Sequence, residues 1–110
     1  AAPDDLLVVH DDIDLAFARL RIHFARGTGG HRGLESITQA IGNNQFHRLK
    51  VGVGRPPQRM DPADFVLRRF TRAEREEVDL LVEDAADVVE RWLGDREEAA
   101  RLASRRRPGG

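Results

Sequence analysis

A length of 110 residues fits one domain with a real though modest core. The absence of cysteine removes disulfide and thiol chemistry and fits a reducing compartment, and Leu6–Val9, the longest fully aliphatic run, is far too short to span a membrane. Nothing resembles a signal peptide, so a soluble cytoplasmic protein is expected.

The net charge of −1 conceals segregation. Residues 1–14 hold five aspartates and no base, while residues 15–60 hold eight basic residues against Glu35 alone. Residues 61–95 are again acidic, and the stretch after Asp95 is rich in arginine. A basic middle suggests an anionic partner, with nucleic acid the natural candidate. The alternative is a solvated surface paired with the acidic helix.

Ala1 to Asp5 has the look of an interior linker, as though the chain were cut from a longer protein. Leu6-Leu7-Val8-Val9 suits a strand buried on both faces of an α/β sheet. It ends in His10-Asp11-Asp12-Ile13-Asp14, where open α/β sheets place their active sites. From Leu15 to Ala25 the pattern has period two, predicting a strand with Arg19, Arg21 and His23 on one wet face. That strand leads into Gly27-Thr28-Gly29-Gly30-His31-Arg32-Gly33. Four glycines in seven residues mark a backbone that turns sharply or approaches another group closely. Leu34, Ile37, Ala40 and Ile41 then predict a helix closed by Gly42 in the left-handed conformation. A glycine loop entering a helix offers N–H groups to an anion, with a plain tight turn as the alternative. Arg32 stands where the dinucleotide fingerprint needs its third glycine, so no nucleotide cofactor is implied.

Phe46 to Gly54 alternates again, with Leu49, Val51 and Val53 inward and Arg48 and Lys50 outward. Asp61-Pro62 predicts an N-cap and a short helix over Ala63–Leu67. Thr71 with Glu74 makes a capping box that opens the longest helix. Val78, Leu81, Val82, Ala85, Val88, Val89 and Trp92 form its apolar stripe, and Gly94 ends it. Residues 1–95 thus read as one domain unit and 96–110 as a frayed helix and charged, flexible tail. Nonspecific RNA affinity is the functional alternative for that tail.

Asp11, Asp12 and Asp14 are candidates to hold a cation, to orient a histidine, or to cap a turn. Successive residues of an extended chain point to opposite faces, which argues against all three converging on a metal. His10, His23, His31 and His47 have no metal-like spacing, and Ser36 and Ser104 lack any nucleophile context. No metal and no cofactor is expected.

Several linked stretches carry a resemblance. Val-Val-His-Asp-Asp-Ile-Asp-Leu (8–15), Gly-Gly-His-Arg-Gly-Leu (29–34), Gly-Asn-Asn-Gln-Phe-His-Arg-Leu-Lys-Val-Gly-Val-Gly-Arg-Pro (42–56) and Asp-Phe-Val-Leu (64–67) resemble bacterial peptidyl-tRNA hydrolase, in the family's order and approximate spacing. The stretch 54–63 looks most like actinobacterial members. The resemblance covers about residues 4–95 and implies a single α/β domain with a mixed, mostly parallel sheet flanked by helices. It implies hydrolysis, without a cofactor, of the ester joining a nascent peptide to tRNA. Asp11 matches the aspartate that orients the catalytic histidine, which activates water; such a pairing fixes the imidazole tautomer and stabilises its charged form. Gly29, Gly30 and His31 match the substrate cleft. His23 and Lys50, with Arg21 beside them, fall where the family holds tRNA phosphate.

Two departures stand out. The family's N-terminal part, with its Gly-Leu-Gly-Asn-Pro-Gly turn, catalytic histidine, two substrate asparagines and first strands, has no counterpart in this sequence. His10 is no substitute, since it precedes the family aspartate on the same strand end. Arg32 also replaces a substrate-contacting asparagine, and arginine has no acceptor and a fixed charge. The expectation is therefore the C-terminal portion of a hydrolase, inactive alone. The rivals are a noncatalytic tRNA-binding relative, or a truncated remnant. The whole family domain is expected to be a monomer, and a chain lacking the first strands to self-associate through exposed apolar surface.

Overall fold

The computed structural model describes residues 3–25, 27, 31–55 and 70–107. The chain runs through a 3₁₀ turn (Pro3–Asp5), β1 (Leu7–Asp12), β2 (Leu20–Phe24), α1 (Arg32–Ile41), β3 (His47–Gly52), α2 (Arg72–Gly94) and α3 (Arg96–Arg105). The short helix expected over Ala63–Leu67 lies outside the described residues. The strands form one mixed sheet in the order β1-β3-β2, with β3 parallel to β1 and antiparallel to β2. Among these strands, one of the two ladders is parallel.

Alternation puts Leu20 and Ile22 of β2 on one face with Leu49 and Val51 of β3. There they meet Leu81, Val88 and Trp92 of α2 and Ala99 and Ala103 of α3. This helical layer covers β2 and β3 more than β1. Val9 of β1 is therefore 52% exposed, although its aliphatic run predicts burial on both faces. Val82, expected in the core stripe, is also exposed, because the buried side of α2 is narrower than the run of apolar residues.

Residues 15–19 form a loop instead of the first half of β2. Ala18 adopts φ +66 and is fully buried, with its N–H donating to the Gly52 carbonyl at 2.9 Å. The Ala16 carbonyl rests on Gly52, where an added Cβ would lie 2.0 Å away. Only glycine lets this loop lie on the end of β3. Arg48, expected to face solvent, is 0% exposed instead. Its guanidinium sits 4.4 Å from the Phe46 ring centroid, and one donor reaches the Asn44 carbonyl at 3.4 Å. Burial lowers its pKa from the ordinary arginine value.

The expected capping box is present at Thr71 and Glu74, and Gly42 closes α1 at φ +89. At the far end of α2, Asp95 ends one helix and caps the next: its N–H donates to the Arg91 carbonyl, and its side chain accepts from Glu98. Beyond Asp95, where a frayed helix and a charged, flexible tail were expected, the helix is packed and not frayed. Residues 96–105 form a helix whose Ala99 and Ala103 enter the core. The apolar side is Ala99, Ala103 and a partly buried Leu102 among charges, which hydropathy registers weakly. Arg106 comes next with only 5% of its side chain exposed, donating to Glu77 Oε1 at 2.9 Å, Asp84 Oδ2 at 2.8 Å and the Ala18 carbonyl at 2.7 Å. It clamps α2 to the strained loop before β2.

Truncating one partner of a buried charge cluster leaves the others uncompensated. Arg106→Ala is expected to cost roughly 3 kcal/mol in urea unfolding. Arg106→Lys recovers only part of it, because one ammonium cannot span three acceptors in the same planar geometry.

Candidate active site at the carboxyl end of β1

The start of α1 is built by His31. Its backbone is extended (φ −73, ψ 114), and its Nδ1 accepts the Leu34 N–H at 3.1 Å, so it is the N-cap. Gly33 makes room for this, since a Cβ there would lie 2.9 Å from His31 Cε1. With Nδ1 accepting, the ring proton sits on Nε2, which donates to Asp11 Oδ1 at 2.9 Å. The hydrogen-bond pattern thus assigns a neutral imidazole against a carboxylate. Asp11 Oδ2 takes no hydrogen bond among the described residues. The helix N-terminus read from sequence as an anion site already spends one N–H on His31.

His10 stands beside this pair. Its Nδ1–H donates to the Asp11 carbonyl at 2.7 Å, and its ring lies near-perpendicular to that of His31, with centroids 4.9 Å apart. Its Nε2 is buried with no partner among the described residues. Burial lowers its pKa, opposed by the Asp11 hydrogen bond.

The three aspartates diverge instead of converging. Asp11 binds His31, Asp12 accepts from the Asp14 N–H and lies 3.5 Å from Lys50 Nζ, and Asp14 pairs with Arg55. Asp11 was expected to hold a histidine outside this sequence; the histidine it meets here is His31. Lys50 lies opposite His10 on β1 and Arg21 on β2, while Arg48 lies opposite His23. Directly paired residues share a face, so Arg21, His23 and Lys50 form one basic patch running from the Asp11 end, with Arg48 on the same face but buried. Arg32 is the exposed first residue of α1. Gly29 and Gly30 lie outside the described residues. Sequence reasoning missed the capping role of His31, legible in its place directly before the helix, and the burial of Arg48 on the face it shares with Lys50.

Chemically, the site offers an oriented carboxylate with one oxygen to spare, next to cationic side chains. Neither histidine beside Asp11 offers a lone pair to an attacking water. Both nitrogens of His31 are committed, and Nε2 of His10 is shielded. His47 lies at the opposite end of β3, its ring 5.4 Å from that of Trp92. Its pKa is also lowered, by burial and then by Arg96.

For His10 and His47 the folded pKa lies below the ordinary 6.5, so the unfolded chain takes up protons first. Their contribution to stability is complete above 6.5 and is lost as pH falls below it. Urea midpoints are expected to drop between about pH 7.5 and about pH 5, with a smaller drop in His10→Phe.

The family profile described as peptidyl-tRNA hydrolase matches residues 1–108. The peptidyl-tRNA hydrolase of Mycolicibacterium smegmatis is 49% identical over 98 residues, covering 89% of this chain and 51% of the relative. That of Frankia casuarinae is 53% identical over 95 residues, covering 86% and 48%. The crystal structure of peptidyl-tRNA hydrolase from Acinetobacter baumannii superposes with a TM-score of 0.86 at 28% identity, covering 98% of this chain and 55% of that one. The chain spans about half the length of the curated relatives it matches. With the profile matched over residues 1–108 and these identities over most of its length, the chain belongs to the peptidyl-tRNA hydrolase family.

Proposed function

We propose that this chain supplies the aspartate-bearing half of a peptidyl-tRNA hydrolase site, acting on the ester between a nascent peptide and tRNA in the cytoplasm. One observation carries the reading: among the described residues Asp11 is fixed at the strand end with Oδ2 taking no hydrogen bond, while neither histidine beside it has an accessible lone pair. In this reading the general base is a histidine supplied from outside these residues. Asp11 Oδ2 accepts that imidazole's N–H, holds its tautomer, and stabilises the imidazolium formed when water is deprotonated. Lys50, Arg21 and His23 hold tRNA phosphate, Lys50 with its charge partly offset by Asp12. His31 and Arg32 border the peptide-bearing end, and Gly29 and Gly30 are assigned to substrate binding from the family resemblance alone. The exposed Leu6, Val9 and Leu93 support self-association of the isolated chain.

The second reading, a noncatalytic tRNA-binding relative, is favoured by Arg32, an exposed cation that adds to the basic patch and cannot place a water as an asparagine would. It too predicts binding that weakens steeply with salt. Turnover decides between the two.

The chain alone is expected to leave peptidyl-tRNA at the uncatalysed rate. A chimera preceded by the complementary part of the M. smegmatis relative is expected to hydrolyse it at least about 100-fold faster, the lower range for a general base. Asp11→Asn in that chimera removes most of the gain. Turnover by the chain alone, lost in Asp11→Ala, contradicts the proposal. A chimera that binds but turns over only after Arg32→Asn supports the second reading.

A further inference from the structure

We propose that His10 is a positioning residue that holds the His31 ring in the orientation joining Asp11 to α1. The proposal rests on reading the Asp11 end as the site, but its test requires no catalysis. His31 must satisfy two bonds at once, Nε2–H to Asp11 at 2.9 Å and Nδ1 from Leu34 at 3.1 Å. A flip of the imidazole about its Cβ–Cγ bond breaks both. The ring of His10, 4.9 Å away and inclined at 69°, stands against it. His10 is in turn immobilised, because its Nδ1–H is bound to the Asp11 carbonyl at 2.7 Å. A carbonyl only accepts, so this bond fixes His10 as the Nδ1–H tautomer and leaves Nε2 as a lone pair in a buried position. The two imidazoles thus carry opposite tautomers. Asp11 joins them, its carbonyl holding one ring and its carboxylate the other. This explains the choice of histidine: its ring supplies both the edge against His31 and the donor for Asp11.

The test is the two-bond ¹H–¹⁵N spectrum of the histidine rings in the 110-residue chain at neutral pH. Wild-type His31 is expected as the Nε2–H tautomer and His10 as the Nδ1–H tautomer. In His10→Ala, the His31 nitrogen shifts move toward the tautomeric average, and the Leu34 amide exchanges roughly tenfold faster, the scale of a lost N-cap. His10→Phe, which keeps a ring but has no donor, retains more of the His31 tautomer than His10→Ala does. Unchanged His31 shifts in His10→Ala overturn the proposal. Should His10→Ala lose its amide dispersion, the wild-type spectrum decides: an Nε2–H tautomer at His10, or an averaged His31, overturns it equally. Failure of the hydrolase reading shows instead as an inactive chimera with these spectra unchanged.

Discussion

One imidazole, that of His31, ties the carboxyl end of β1 to the first turn of α1. Each of its nitrogens has one possible role there. Leu34 presents an N–H, so Nδ1 must accept; Asp11 presents a carboxylate, so Nε2 must donate. The ring is consequently neutral and fully used. Helix start and strand end meet in this contact, and Asp11 keeps a second oxygen that takes no hydrogen bond among the described residues. Its cost is that His31 cannot serve as a base while it caps the helix.

The other fixed points of the fold hold this end of the sheet in place. Gly52 lets the loop before β2 lie on the end of β3, next to Asp12 and Lys50. Arg106 reaches from beyond α3 to the carbonyl of Ala18 in that loop, and carries the carboxylates of Glu77 and Asp84 with it. A loop containing a non-glycine residue at φ +66 costs on the order of 1 kcal/mol and persists only when its surroundings hold it. The arginine-rich end of the sequence is thus part of what shapes the site.

Much of this was legible in the sequence. The Thr71–Glu74 capping box, the closing role of Gly42 and the core positions Leu81, Val88 and Trp92 arise from local chemistry and period, and each is present. Linked motifs carried the family, and the family placed Asp11 at a strand end. What the sequence hid was tertiary in origin. Arg48 alternates as an outward residue, yet that face is covered where it stands. Residues 96–105 read as charged, because only Ala99, Ala103 and the partly buried Leu102 seat α3 on the core. The bond between His31 and Asp11 spans twenty residues, beyond the reach of any local pattern.

His10 and His31 stand beside Asp11 with no accessible lone pair, and on that geometry rests the proposal that the base is a histidine from outside these residues. The most direct measurement is the acylation rate of each histidine by diethylpyrocarbonate in the native chain, read peptide by peptide by mass spectrometry. His10 and His31 are expected to react at least about tenfold more slowly than the same residues in the urea-unfolded chain, as befits lone pairs exposed only through opening. Acylation of His31 at the unfolded rate, with the fold intact, would show a free lone pair beside Asp11 and contradict that geometry.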